Sequence, residues 1–238
     1  MLFVATISGA QTINLHMING EVIKYNSSEV DHIDFTENSK TEAYTSCPDS
    51  NHPHLIDLGL PSGTKWACCN VGAEKPENYG SYFAWGETAE KTRYYWDTYT
   101  HCDGSYSTCH DIGKDIAGTQ YDAATVNWGS PWVMPSKEQM EELKNNCTLE
   151  WTTENGVNGL RFTGLRFTGP NGASIFLPTA GSRRGDDLYN AGSYGLYWSS
   201  TLYESYTYYA WSLYFSSGAS DYDYYRYNGR SVRPVCKN

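Results

Sequence analysis

Only one segment of this 238-residue chain has strong helical periodicity, and the sequence around it is dense in Gly, Trp and Tyr. Ser136 and Gln139 form a capping-box pattern, in which each side chain satisfies a backbone N–H of the other residue. Met140 and Leu143 then fall on one helical face, so a helix is predicted over about 136–146. With so little helix, the rest of the chain must fold mainly as short strands and long loops. The predicted class is α+β.

Weaker patterns add a second helix and several strands. The stretch YDAATVNWG predicts a short helix that Gly129 would end. The stretches ASIFLPTAG and AWSLYF have the β-branched and aromatic content typical of strands. In the second of these strands three side chains are expected to face inward: Trp211, Leu213 and Phe215.

The N-terminal part has a different pattern from the remainder. Apolar and polar residues alternate on both sides of Asn19-Gly20, which predicts a hairpin over residues 12 to 25. The apolar run ending in Ser8-Gly9-Ala10 is interpreted as the remnant of an export signal, with a plain β-strand as the alternative. The predicted organisation is an export remnant at 1–11, a β-hairpin segment at 12–35, a linker at 36–52 and a main domain at 53–238.

The charge of the chain limits its partners. A formal net charge of −10 disfavours nucleic acid and anionic membrane surfaces, because both require a basic face. The longest apolar run is also far shorter than the roughly 18 residues that a membrane span needs. We therefore expect neither a nucleic-acid partner nor a membrane span.

Patterns typical of catalysis or metal binding are weak. The seven cysteines lack repeated CxxC spacing, and none of the six histidines forms an HExxH motif. His52-Pro53-His54 lies at the edge of the predicted linker, and a metal site there is disfavoured. Cys102 and Cys109 flank a short polar loop, either as a disulfide or as two free thiols. No catalytic residue, metal ligand or cofactor is predicted.

Tyrosine is concentrated near the C-terminus. Residues 187–228 contain 12 of the chain's 21 tyrosines and eight serines, and residues 145–236 contain no Lys, Gln or Met. Tyrosine brings a large amphipathic contact area with few rotatable bonds, and small polar neighbours supply adaptable hydrogen bonds, as in antibody paratopes. The alternative is ordinary sheet structure, since tyrosine also favours strands.

Six sequence blocks occur along the chain in this order: DLGLPSGTKWACCNVGA, YGSYFAWGET, WGSPWVMPSKEQMEEL, FLPTAG, YWSST and GRSVRPV. Together they resemble the FISUMP family, also called the major paralogous domain family. The resemblance covers about residues 55 to 236. It implies a C-type-lectin-like fold related to that of the formylglycine-generating enzymes, with secretion or cell-surface display.

The tyrosine-rich region also resembles the variable proteins of diversity-generating retroelements. In those proteins, adenines of AAY codons are replaced, which yields Tyr, Asp, Ser, Ala, Arg or Asn, among others, but never Lys, Glu, Gln, Met or Trp. Every residue from 219 to 228 belongs to the permitted set, whereas Trp198, Trp211 and residues 229–235 are interpreted as fixed scaffold. The resemblance implies a diversified binding region at 187–228.

These observations predict a binding module for a protein or a cell-surface glycan. The predicted ligand contacts are Tyr189, Asn190, Tyr194, Tyr203, Glu204, Tyr206, Tyr208, Tyr209, Asp221, Tyr222, Asp223, Tyr224, Tyr225, Tyr227 and Asn228. One rival is an enzyme like the formylglycine-generating relatives, which would need a reactive cysteine pair where the tail holds only Cys236. The other is a calcium-dependent lectin, whose EPN or QPD and WND ligand motifs are missing.

Overall fold

The computed structural model describes residues 4–8, 12–16, 22–26, 45–48, 52–164 and 173–236. The chain divides into two compact units, Met1–Lys40 and Thr41–Asn238, and each is described by itself. No helix in the described ranges is long and apolar enough to cross a membrane.

The first unit contains a three-stranded antiparallel sheet. Its strands are β1 (Val4–Ser8), β2 (Thr12–His16) and β3 (Val22–Asn26), in that order. The pairing of β2 with β3 confirms the predicted hairpin, although its Asn19-Gly20 turn lies outside the described residues. Residues 4–8 form a strand, which was the alternative to the export remnant; export itself stays a prediction.

The two α-helices of the second unit confirm the two helical patterns. Helix α1 (Ala123–Trp128) is capped by Asp122, whose carboxylate accepts hydrogen bonds from the first-turn amides, and it ends at Gly129. Helix α2 (Lys137–Asn145) begins after Ser136, where the predicted capping box with Gln139 is present. These caps satisfy amides that have no partner within the helix.

Short antiparallel strands make up most of the regular structure of this unit. One sheet has the strand order β4–β5–β15–β6. In it β4 is Leu55–Asp57, β5 is Lys65–Ala67, β15 is Val235–Cys236 and β6 is Trp132–Val133. The next comprises β7 (Cys147–Glu154), β8 (Val157–Gly164) and β9 (Ser174–Pro178). A hairpin pairs β10 (Ser182–Arg184) with β11 (Asp187–Tyr189). The last sheet comprises β12 (Gly195–Leu202), β13 (Tyr209–Phe215) and β14 (Ala219–Tyr225). The described chain is therefore a mixed α+β structure.

Tryptophans fill the core of the second unit. Trp66, Trp85, Trp132 and Trp198 are all fully buried, and they belong to one apolar cluster with the inner faces of α1 and α2. The indole N–H of Trp85 donates to the carbonyl of Ser199, at 2.9 Å. Large aromatic rings thus supply much of the buried volume, and the hydrogen bond of Trp85 fixes the orientation of one of them.

One inward-facing prediction for β13 is wrong. Leu213 and Phe215 are buried as expected, but Trp211 is only half-buried. The ammonium of Lys137, on the first turn of α2, lies 4.1 Å from the centre of the Trp211 ring. A cation held over the ring stabilises the exposed aromatic face without burying it in the core.

Part of the predicted linker belongs to the second unit. Cys47 is buried in its apolar cluster, and the hydroxyl of Ser46 donates to the carbonyl of Ala73 at 2.5 Å. A domain boundary at 53 would therefore remove a segment that packs on the core, whereas a boundary near Thr41 retains it.

Candidate binding surface

The sheet β12–β13–β14 carries six of the twelve tyrosines of residues 187–228. In its register, Tyr209 pairs with Tyr225, Ala210 pairs with Tyr224 and, two pairs further on, Ser212 pairs with Tyr222. Adjacent side chains of a strand point to opposite faces of the sheet, and side chains two residues apart share a face, so Tyr222 and Tyr224 lie on the face opposite to Tyr225. The predicted contacts on this sheet therefore fall on two surfaces.

The first surface is a groove lined by Asn190, Tyr194, Tyr214, Tyr222 and Tyr224, here named the tyrosine groove. Its cavity has a volume of about 410 Å³, and Ser182, Leu196 and Arg230 complete its lining. Ring centres are 5.5 Å apart for Tyr194 and Tyr214 and 5.7 Å apart for Tyr222 and Tyr224. Tyr222 is 48% exposed, so the groove presents rings and hydroxyls to solvent.

Arg230 forms the base of the tyrosine groove. Its guanidinium lies between the rings of Trp198 and Tyr224, at 4.4 and 4.6 Å from their centres. The same group donates to the Ser212 hydroxyl, which in turn donates to the carbonyl of Tyr222 at 2.6 Å. Burial lowers the pKa of Arg230 to about 9, which leaves it charged at neutral pH. Arg230 thus fixes one wall of the groove to the buried core.

The second surface consists of Tyr203, Tyr206, Tyr208, Tyr209 and Tyr225, here named the tyrosine cluster. Ring centres lie 5.7 Å apart for Tyr206 and Tyr208, 4.6 Å for Tyr208 and Tyr209, and 4.7 Å for Tyr209 and Tyr225. A hydrogen bond with Tyr225, followed by burial, raises the pKa of Tyr209. Tyr206 is 53% exposed at the outer edge. The rings therefore support one another and keep open edges toward solvent.

The loop that carries this cluster is ordered by its own backbone. The amide of Tyr203 donates to the carbonyl of Tyr209 at 3.1 Å, and the amide of Tyr209 donates to the carbonyl of Tyr206 at 2.8 Å. Tight turns of this kind reduce the conformational freedom that a ligand would otherwise have to remove on binding.

A disulfide-closed loop extends the tyrosine cluster. Cys102 and Cys109 are bonded, so of the two alternatives left by the sequence the disulfide is the one present. Within this loop Tyr106 is exposed, and its ring centre lies 5.3 Å from that of Tyr208. Sequence reasoning missed Tyr106 because it lies about 100 residues from its neighbour, outside the tyrosine-rich segment. It also missed Tyr214 in the groove.

Most of the predicted contact residues lie at or near the surface. Those that are exposed are Tyr189, Asn190, Tyr194, Glu204, Tyr206 and Tyr222. Those that are half-buried are Tyr203, Tyr208, Tyr209, Asp223, Tyr224 and Tyr225. The side chain of Asp221 lies outside the described residues.

Two of the predicted contacts are wrong, because Tyr227 is 2% exposed and Asn228 is 1% exposed. The Tyr227 ring packs against Trp96, with 4.6 Å between ring centres, and the Asn228 amide donates to the carbonyl of Tyr225 at 3.1 Å. The backbone carbonyl of Asn228 also accepts from the indole of Trp198. Both residues belong to the buried structure beneath the two tyrosine surfaces, here named the frame. Their residue types nevertheless fit the set that AAY codons can yield.

A second cleft, of about 500 Å³, lies near Glu87, Lys91 and His101, but its polar groups have structural partners. The Lys91 ammonium lies 2.6 Å from Glu87 and donates to the carbonyl of Thr98 at 2.8 Å. His101 Nε2 contacts the carbonyl of Gly86 at 2.9 Å. These contacts hold the cleft walls together.

Four potential metal ligands converge away from the tyrosines. The donor atoms of Cys47, His52, His54 and Cys68 all lie within 4.8 Å of one another. Sequence reasoning missed this set because its members do not form a paired-cysteine motif and three of them lie in or beside the predicted linker. Only the fold brings Cys68 to them.

Comparison with known proteins gives one match. The model of a family described as a domain of unknown function (DUF8237) matches residues 149–235. No curated protein and no solved structure matches the chain. The matched region runs from β7 to β15 and includes both tyrosine surfaces, so the chain is similar to this family over its candidate binding region.

Proposed function

We propose that this protein is a secreted or cell-surface ligand-binding module with a C-type-lectin-like fold. The tyrosine groove and the tyrosine cluster form its binding surfaces, and retroelement diversification changes their residues. The observation that carries the proposal is the position of the tyrosines: rings from distant parts of residues 187–228 contact one another at the surface, above a tightly packed frame.

The separation between frame and surface supports a replaceable face. Trp198 and Arg230 are buried directly beneath the groove, whereas the Tyr222 ring above them is half exposed. Exposed side chains tolerate substitution with small changes in stability, and buried ones do not. Variation confined to the exposed tyrosines would therefore change recognition while the fold persists.

The chemistry of the two surfaces favours a protein or a cell-surface glycan as the ligand. Tyrosine rings stack on sugar faces and on apolar side chains, and their hydroxyls both donate and accept hydrogen bonds. The rings are held by neighbouring rings, so little side-chain entropy is lost on binding. A few of them should contribute most of the affinity, with Tyr206 and Tyr222 the most exposed.

A pair of displayed libraries tests the replaceable surface. One library encodes Tyr, Ser, Asp, Asn and Ala at Tyr206, Tyr208, Tyr209, Tyr222 and Tyr224; the matched control encodes the same residues at five buried tyrosines. The control positions are Tyr82, Tyr94, Tyr99, Tyr197 and Tyr227. Protease-resistant display should persist in most surface variants and fall by about ten-fold or more in the control, because large-to-small core changes cost several kcal/mol each.

Binding is measured on the same surface library, with lysozyme as a protein probe and an array of defined glycans. Binders to at least one of these probes, with sequences that differ at the randomised positions, are expected from a paratope-like surface. Collapse of the surface library together with the control would reject the replaceable face. Well-displayed variants that yield no binder to either probe would reject the binding role.

The diversification mechanism is tested in the gene's neighbourhood. We expect a near-copy of the C-terminal coding stretch that differs mainly at adenines, beside a gene for a reverse transcriptase. AAY codons are expected in that copy at the positions of Tyr203, Tyr206, Tyr208, Tyr209, Asp221, Tyr222, Asp223, Tyr224 and Tyr225. A genome without such a copy would remove the retroelement from the proposal and leave the binding module to the library experiment.

A further inference from the structure

We propose that Cys47, His52, His54 and Cys68 bind a zinc ion that fastens the segment before β4 to the main domain. Two cysteine thiolates and two imidazoles are a common donor set for structural zinc, which is four-coordinate and tetrahedral. The four donor atoms already lie within 4.8 Å of one another.

The distances between donor atoms fit a tetrahedral ion. Cys47 Sγ lies 3.7 Å from His52 Nε2, and His54 Nδ1 lies 3.3 Å from Cys68 Sγ. Zinc–sulfur and zinc–nitrogen bonds of about 2.3 and 2.0 Å at a tetrahedral angle place S and N about 3.5 Å apart. The two observed separations lie on either side of that value, and the remaining donor pairs, all within 4.8 Å, close around an ion by side-chain movement.

The β4–β5 ladder delivers two of the ligands. Leu55 pairs with Ala67, and one step further along the amide of Cys68 donates to the carbonyl of His54 at 3.0 Å. His54 and Cys68 are therefore held opposite each other by backbone pairing. The His52 ring lies 5.3 Å from the His54 ring at an interplanar angle of 74°, which lets both imidazoles approach one point from different directions.

The remaining ligand comes from the segment that the sequence assigned to the linker. The Ser46 hydroxyl holds this segment to the carbonyl of Ala73, and Cys47 is only 5% exposed. Cys68 is 4% exposed, and Arg233 donates to its carbonyl at 2.7 Å. Two thiolates and two neutral imidazoles balance the charge of Zn²⁺, so the bound site adds no net charge to this buried region.

A disulfide between Cys47 and Cys68 is the competing arrangement. The structure joins Cys102 to Cys109 but leaves Cys47 and Cys68 outside any disulfide. A disulfide would also not account for the positions of His52 and His54, whose ring nitrogens lie close to the two sulfurs. A zinc ion would bind all four donor atoms. Because the ligands lie 21 residues apart at their extremes, the ion would close a loop that the unfolded chain leaves open.

The test uses the full chain, purified without chelator, with metal measured by plasma mass spectrometry. About one zinc per chain is expected, and His52→Ala and Cys47→Ser should each lower bound zinc by about ten-fold or more. Cys147→Ser is the matched control, since this thiol is buried and lies outside the donor set; it should retain the metal.

Two further measurements complete the test, and the first of them uses only the wild-type chain, so it does not depend on whether a variant folds. Cobalt(II) added to the metal-free wild-type chain should give the visible absorption of a tetrahedral site with thiolate ligands. A chelator should also lower the melting temperature of the wild type but not that of His52→Ala. Wild-type protein that holds no zinc and gives no tetrahedral cobalt spectrum overturns the proposal. So does a Cys47–Cys68 disulfide found by mass spectrometry after alkylation.

Discussion

Replacing Trp198 with alanine is expected to lower the free energy of unfolding by about 3 to 5 kcal/mol, the usual cost of removing a fully buried large aromatic. The indole lies against the Arg230 guanidinium, and its N–H donates to the carbonyl of Phe83 at 2.9 Å. Removing the ring opens a cavity, removes the indole hydrogen bond to Phe83 and exposes one face of the Arg230 guanidinium. The matched surface change, Tyr222→Ala, should leave the free energy of unfolding nearly unchanged.

Urea unfolding of both variants, followed by tryptophan fluorescence and circular dichroism, provides the measurement. The midpoint for Trp198→Ala should fall far below that of wild type, while that for Tyr222→Ala stays close to it. Equal losses in the two variants would mean that the tyrosine groove belongs to the core. The distinction between frame and replaceable surface would then fail.

Local sequence signals predicted local structure well. Ser136 and Gln139 define the start of α2 because a capping box depends on residues three apart in the chain. Asn19-Gly20 likewise separates two strands that pair as expected. Such signals need no knowledge of distant residues, so a sequence suffices to read them.

The division of the tyrosines could not be predicted in the same way. Tyr222 and Tyr224 line the groove while Tyr225 belongs to the cluster, because the pleat of β14 alternates side chains between faces. Composition identified the segment as rich in binding residue types, but it carries no information on the register of β14 against β13. Composition also could not show that Tyr227 is buried. The chain leaves β14 after Tyr225, and the Tyr227 ring then packs against Trp96 beneath the surface.

Contacts between residues far apart in the chain could not be predicted from the sequence either. Tyr106 reaches the cluster through the disulfide-closed loop, and Cys68 reaches His54 through the β4–β5 pairing. Neither contact leaves a spacing pattern, because the partners are brought together by tertiary structure. These are the places where the candidate site differs most from its sequence-based description.

The largest loss outside the tryptophan core is expected from Arg233→Met. Arg233 is fully buried, and its Nε donates to the Asn70 side-chain oxygen at 2.8 Å. Its other nitrogens donate to the carbonyls of Cys68, at 2.7 Å, and Phe176, at 2.9 Å. One side chain thus joins the segment after β5 to strand β9. Methionine keeps much of the volume but leaves these acceptors buried and unpaired.

Each orphaned acceptor costs about 1 to 3 kcal/mol, so the combined loss for Arg233→Met should reach about 3 to 5 kcal/mol after partial relaxation. Arg93→Met is the matched control, because Arg93 is exposed and its contacts with Asp97 and Asp186 are 3.3 and 3.5 Å long. It should leave the urea midpoint nearly unchanged, as exposed ion pairs contribute little. Arg233→Lys keeps the charge but loses the planar fork, and its midpoint should fall between the two. If Arg233→Met unfolds at the same urea concentration as Arg93→Met, then the carbonyls around Arg233 are satisfied without it, and the guanidinium does not hold these segments together.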